Sequence, residues 1–351
     1  MSSQAVMSIG LKSLVLVASG KVREMYKIDK STLLMVVTDR VSAYDEILST
    51  GIPDKGAILC QMSGTSKNPP SHAFSPSIYP LPPGPPGLLI NTFQKSLIQM
   101  PVAFWFTLLG AQMPNLKHHV LSLKPPSDCQ VVSPSERETL RGRCMQIQAL
   151  KVFPIEVIVR GYLTGSAWEE YKKSSTVHGI LQPAGLQRCQ AFPGGPIYTP
   201  STKAPQGFHD ENISPEEARK IVGEKWAGEI ENLALSIYKT AHSFAMERGI
   251  IIADTKMEIA LDEKNDEIVV VDELLTPDSS RFWPAPVRVG EEQPSFDKQH
   301  IRDYLKARGL AGKPGVELPE HIVIETTNAY REVFRRLTSQ TIEQAIVALG
   351  D

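Results

Sequence analysis

Apolar positions along this chain recur with two periods, and the stretches between them are short. Residues 14–17 and 33–38 (Leu-Leu-Met-Val-Val-Thr) read as strands, as do 145–153 and 155–160 (Ile-Glu-Val-Ile-Val-Arg). In 251–259 (Ile-Ile-Ala-Asp-Thr-Lys-Met-Glu-Ile) alternation places Asp254, Lys256 and Glu258 on one face. Ala253, Met257 and Ile259 then fall among the residues facing the core. A second apolar run at 268–274 follows the polar segment 262–267, which predicts a hairpin that brings Asp272 near Asp254 and Glu258. Helical spacing marks 226–247, through Trp226, Ile230, Leu233, Leu235, Ile237 and Phe244. It also marks 326–347, through Tyr330, Val333, Phe334, Leu337, Ile342 and Ile346. Ser214-Pro-Glu-Glu217 is a capping box with proline at the first helical position and predicts a helix to about residue 223.

Residues 64–101 break both periods. They hold nine of the 27 prolines, and Lys67 and Lys95 are their only formal charges. Such a segment keeps neither a helix nor a periodic apolar face. Joining 57–63 directly to 102–109 makes one amphipathic helix through Leu59, Met62, Phe104 and Leu108. The segment therefore reads as an insertion into a helix. It is either a disordered surface loop or translated non-coding sequence.

Composition narrows the class. With 351 residues, 42% apolar and 22% charged, the chain can bury a large core, expected in two lobes. Its formal charge of −2 advertises neither nucleic acid nor an acidic membrane. No apolar run is long enough to span a bilayer, and the short apolar stretch at 11–18 lacks the charge pattern of a secretory signal, so a cytoplasmic location is expected. Four widely spaced cysteines fit free thiols in a reducing compartment. His118 and His119 are adjacent and expected to face apart at the surface.

Candidate chemistry collects around the acidic hairpin. Clustered carboxylates repel unless a cation compensates, and hard carboxylate oxygens beside a lysine suit a Mg-nucleotide site; the alternative is an ordinary solvated sheet face. Ser19-Gly-Lys-Val-Arg23 could cover phosphates with backbone N–H groups and cations, or be a plain hairpin turn. Arg160 arrives from a strand at a turn with Thr164, Gly165 and Ser166, and a guanidinium fork suits carboxylate or phosphate; it could equally brace the turn. The loops at 200–204 and 207–213, with His209, are polar. Asp278, Ser279 and Arg281 emerge from Thr276-Pro-Asp-Ser-Ser-Arg-Phe-Trp283, directly after the Asp272 strand.

Two motifs carry a family resemblance: Phe153-Pro-Ile-Glu-x-Ile-Val-Arg160 with Thr164-Gly-Ser166, and Ile252-Ala-Asp-x-Lys-Met-Glu-Ile259. Supporting matches are Ser19-Gly-Lys-Val-Arg23, Asp39-Arg-Val-Ser-Ala-Tyr-Asp45, His209-Asp-Glu-Asn-Ile-Ser214, Leu275-Thr-Pro-Asp-Ser-Ser-Arg-Phe-Trp283 and Ser295-Phe-Asp-Lys-Gln299. In this order they resemble the SAICAR synthetases of purine biosynthesis, the single-function fungal type most, over nearly the whole chain. Residues 64–101 have no counterpart in that pattern. The resemblance implies an α+β fold of two lobes, 1–153 and 154–351, related to ATP-grasp and kinase-like proteins, with nucleotide in the interlobe cleft. It implies an ATP-dependent ligase joining the carboxylated aminoimidazole ribotide (CAIR) to L-aspartate through an acyl phosphate. Products are SAICAR, ADP and phosphate, and the enzyme is a monomer or small homo-oligomer.

By that resemblance Glu258 and Asp272 hold Mg²⁺, and Lys256 acts in catalysis with Asp254. Ser19, Gly20, Lys21, Arg23, Glu156 and Lys256 contact ATP. Arg160, Ser166, Asp278, Ser279, Arg281, Asp45 and His209 contact substrate. Two other readings stand beside it. One is a small-polyol kinase of the inositol polyphosphate type, whose Asp-x-Lys strand continues to glycine where this chain has Glu258. The other is a non-catalytic nucleotide-binding protein disabled by the insertion.

Overall fold

The computed structural model describes residues 4–64, 104–128, 131–203 and 210–350. Two antiparallel sheets organise them. The first runs in the order β1 (Val15–Ser19), β2 (Arg23–Lys27), β3 (Thr32–Val37), β7 (Cys144–Gln148), β6 (Val120–Ser122). Short hairpins β4 (Ser42–Ala43) with β5 (Glu46–Ile47) and β10 (Thr176–Val177) with β11 (Ile180–Leu181) stand apart. The second sheet centres on β9 (Ile155–Arg160) and the long β14 (Ile250–Asp262). Onto them pair β8 (Lys151–Val152), β12 (Ile197–Tyr198), β13 (Ser201–Thr202), β15 (Glu267–Val271) and β16 (Ser280–Pro284). The expected α+β class holds.

The predicted hairpin forms as β14–β15, from Glu258↔Val271 to Asp262↔Glu267. Asp262 closes its turn, accepting from the Lys264 N–H and the Asn265 amide. The strand face is not a simple alternation, however. A bulge lies between Ile252 and Asp254. Ile250 and Ile252 join the main core before it, Met257 and Ile259 after it. Ala253 instead packs with Ile251, Tyr162, Cys189 and Trp283. The bulge inserts one residue and shifts the phase, so Ala253 is buried as expected but in a different apolar cluster from Met257 and Ile259.

Nine helices are found among the described residues: α1 (Lys55–Ser63), α2 (Trp105–Gln112), α3 (Pro134–Leu140), α4 (Gly165–Ser174), α5 (Pro215–Val222), α6 (Glu224–Met246), α7 (Gln299–Ala307), α8 (Glu320–Thr338) and α9 (Ile342–Ala348). The Ser214 capping box opens α5 as expected. Helix α6 lays Ile230, Ala234, Ile237 and Tyr238 against the second sheet, where each fully buried aliphatic side chain is worth roughly 1.5–3 kcal/mol. The single helix expected at 326–347 is two. Ser339 adopts a left-handed conformation (φ 60°) that stops α8, and Thr341 caps α9 with Gln344. Both pack on α1, so the C-terminal helices return to the first half of the chain. His119 also departs from expectation. It is buried beside Phe106, and burial pushes its imidazole down to about 4.

Apart from Gly64, the proline-rich segment lies outside the described residues. Its flanks are informative. The Gly64 N–H donates to Cys60 O at 3.2 Å, and the Phe104 N–H donates to Gln61 O at 3.2 Å. With 65–103 absent, Phe104 would follow Gly64 and stand four residues beyond Gln61, the spacing of an α-helical hydrogen bond. The Phe104 N–H thus links the start of α2 to the last turn of α1, although Gly64 itself is extended (φ −60°, ψ −177°) and ends α1. Deleting 65–103 should leave a cooperative thermal transition near that of the full chain, because the length of chain joining two packed elements changes stability only slowly. Loss of the transition on deletion would make the segment part of the fold.

Candidate active site

Strand register brings three charges onto one rung. Asp254 stands opposite Arg160 on β9 and opposite Arg281 on β16. Its Oδ2 accepts from Arg160 Nη1 at 2.9 Å and from Arg281 Nη1. Asp254 and Arg160 are buried, 5% exposed each, so a charge on one demands the other. Asp254 draws the Arg281 pKa further up; desolvation, the largest influence on Arg160, draws that one down.

The Thr164-Gly-Ser166 turn is explained by these arginines. Gly165 has φ +58°, and a Cβ there would lie 2.6 Å from Arg281 Nη2. Only glycine leaves room for that guanidinium. Ser166 Oγ accepts from Arg160 Nη2 at 3.4 Å, and Thr199 Oγ1 accepts from Arg160 Nε at 3.2 Å. His178, absent from the sequence reading, completes the bracket. Its Nδ1 lies 2.8 Å from the Pro200 carbonyl, so that nitrogen carries the proton and donates. Nε2 then accepts from Arg160 Nη2 at 3.5 Å. Burial, then the Arg160 charge, lowers the His178 pKa and keeps the ring neutral.

Arg160, Asp254, Lys256, Asp278, Ser279 and Arg281 together wall a cavity of about 170 Å³. Arg281 and Arg302 are shared with a larger neighbouring cavity of about 750 Å³, which also touches Tyr44, Thr164 and Gly165. Lys256 reaches into this region and donates to Glu156. Burial works against its charge, but Glu156 outweighs it and the Lys256 pKa rises. Burial raises the Glu156 pKa in turn.

The other expected contacts have partners of their own. Glu258 pairs with Lys203. Arg23 reaches across from the first sheet to hold Asp272 and Glu273, rather than projecting from the 19–23 turn as expected. That turn is a closed hairpin: the Gly20 N–H donates to Arg23 O at 2.8 Å. Arg40 clamps it, donating to the carbonyls of Lys21 (3.0 Å) and Gly20 (3.1 Å). Lys21 pairs with Asp45 at the surface. Asp278 touches the cavity, but its carboxylate is engaged behind the wall by Lys55 at 2.8 Å and Tyr330 OH at 2.6 Å. His209 lies outside the described residues.

Among the described residues no three His, Cys, Asp or Glu side chains form a ready metal cage. Glu258 and Asp272 still offer hard oxygens from adjacent strands, β14 and the end of β15. Mg²⁺ commonly takes one or two carboxylates and completes its shell with substrate phosphates and water, so the donor chemistry fits that ion.

A family model described as SAICAR synthetase matches residues 16–67 and 94–318. Between the two matched stretches only 68–93 is left out, so 64–67 and 94–101, expected to have no counterpart, do have one. A phosphoribosylaminoimidazole-succinocarboxamide synthase of Pichia angusta is 45% identical over 335 residues, spanning 93% of this chain and 96% of its own. That of Saccharomyces cerevisiae is 43% identical over 332 residues, spanning 93% and 94%. The solved SAICAR-synthase from Saccharomyces cerevisiae complexed with SAICAR aligns with a TM-score of 0.74 at 39% identity, over 97% of this chain and 99% of that one. A SAICAR synthetase (Type-2) in complex with ADP shares the fold, with a TM-score of 0.58 at 21% identity over 92% and 98%.

Proposed function

The chain belongs to the SAICAR synthetase family, and from that premise we propose that the cavity walled by β9, β14 and β16 is its active site. The protein is a ligase of purine biosynthesis, joining CAIR and L-aspartate to give SAICAR. The observation that carries the site assignment is the Arg160–Asp254–Arg281 rung with Lys256 one position further along the same face. Two guanidiniums held on one buried carboxylate form a preorganised receptor for the anionic groups of a ribotide. The polyol-kinase reading has no such support.

The chemistry asks for an activated carboxylate. An oxygen of the CAIR carboxylate attacks the γ-phosphorus of ATP, the bond to the β-phosphate oxygen breaks, and ADP leaves. The amine of aspartate then attacks the acyl carbon; the C–O bond to phosphate breaks and the nitrogen loses a proton. Little covalent work falls to the protein in the first step, so positioning and charge neutralisation dominate. Lys256 places an ammonium against the developing negative charge, and Arg160 and Arg281 orient the substrate with Ser166 and Ser279 as donors. Asp254 acts by holding the arginine pair rather than by touching the reacting atoms.

The two sheets mark the two lobes, but the expected division into 1–153 and 154–351 is not clean, because β8 pairs with β14 and the C-terminal helices pack on α1; nucleotide lies between the sheets, with adenine toward Glu156 and phosphates toward the 19–23 turn. Glu258 and Asp272 would hold Mg²⁺, which would neutralise phosphate charge. Lys21 and Asp45, paired at the surface, are assigned to phosphate and substrate respectively. The test is ADP release by the purified chain with Mg-ATP and CAIR, with and without L-aspartate. SAICAR formation in step with ADP, only when both co-substrates are present, is the expected result. Release with a polyol acceptor, or none with CAIR and aspartate, would overturn the reading.

A further inference from the structure

A buried charge cluster behind the cavity has no place in the chemistry just described. Lys55, the first residue of α1, is 0% exposed. Its Nζ meets Asp278 Oδ2 at 2.8 Å. On the other oxygen, Tyr330 OH of α8 donates to Oδ1 at 2.6 Å, and Lys298 Nζ lies 3.6 Å away. Lys298 also donates to the Ser42 carbonyl at 3.3 Å. Three segments far apart in sequence thus converge on one carboxylate that is 4% exposed.

We infer that Lys55 and Tyr330 are positioning residues for substrate, acting through Asp278 on the turn that carries Ser279 and Arg281. The turn is short and internally closed. Ser279 and Ser280 N–H groups donate to Thr276 O at 3.1 and 2.8 Å, and the Lys256 N–H donates to Ser279 O at 2.8 Å. Anchoring Asp278 from behind therefore fixes where Ser279 enters the cavity and how Arg281 reaches Asp254. Burial by itself would raise the Asp278 pKa; Lys298 and Lys55 outweigh it and hold the carboxyl well below its ordinary range, so the anchor stays ionised. Buried ion pairs of this kind add little stability over apolar packing of equal volume, which leaves geometry as their contribution.

The inference rests on the proposed function, and the test separates the two. SAICAR is titrated calorimetrically into the wild type, Tyr330→Phe, Lys55→Met and Lys55→Arg, and KM for CAIR and for ATP is measured alongside. Tyr330→Phe keeps the ring and removes one hydrogen bond, so SAICAR binding should weaken about fivefold. Lys55→Met should weaken it roughly tenfold or more, with partial rescue in Lys55→Arg. KM for CAIR should rise while KM for ATP stays within about twofold. Unchanged SAICAR affinity in variants that melt cooperatively would overturn the inference and leave the ligase reading intact. If Lys55→Met does not fold, Tyr330→Phe decides alone. A wild type that does not bind SAICAR overturns the functional reading and this inference with it.

Discussion

Replacing Lys256 by alanine is expected to lower kcat/KM by about 10²–10³-fold, the usual cost of removing one preorganised charge partner from a reacting centre. The fold should survive. The Lys256 side chain is 43% exposed and contributes little packing. Its ion-pair partner, Glu156, has a pKa already raised by burial, so it can take a proton when the ammonium is gone. Coupled ADP-release assays and thermal melts on the same preparation check both halves. Turnover at the wild-type level in a folded Lys256→Ala protein would remove this lysine from the mechanism.

Asp254→Ala should damage both stability and substrate binding. The carboxylate is 5% exposed and accepts from two guanidiniums, of which Arg160 is itself buried. Its loss leaves an uncompensated buried charge, for which about 3–5 kcal/mol of destabilisation is expected. Freed arginines would also lose their common orientation, so affinity for SAICAR should fall by roughly tenfold or more. Denaturant unfolding reads the first effect and calorimetry the second. An unchanged unfolding midpoint would mean that the rung is held together by something other than Asp254.

Much of the frame was legible in the chain. The β14–β15 hairpin followed from a period-two run, a polar turn and a second run, and α5 from a capping box with proline at its first position. Even the link between α1 and α2 could be read, because apolar spacing resumes at Phe104 in phase with 57–63. The misreadings share a cause. Alternation puts Ala253 on the same buried face as Met257 and Ile259, but the bulge beside it, set by pairing with β16, turns it into a separate apolar cluster. Helical periodicity runs through Ser339 because a local break in φ leaves the apolar spacing on either side intact. His119 looks like a surface residue until Phe106 and the end of β15 cover it.

Within the site, sequence order by itself placed Asp254, Lys256 and Glu258 on one face and Arg160 at the end of a strand, because side chains alternate along a stretch of strand that holds no bulge, as β14 does from Asp254 onward. It also placed this chain beside the SAICAR synthetases through motifs in a fixed order. What it could not decide was partnership. Asp254 meets arginines 94 residues before it and 27 after it, Asp272 meets an arginine 249 residues away, and Asp278 finds Tyr330 52 residues on. Which carboxylate faces substrate and which anchors a wall is set by strand register and helix packing, and no local pattern encodes those. His178 shows the same limit from the other side: its role exists only because the Pro200 carbonyl fixes its tautomer and Arg160 lies within reach.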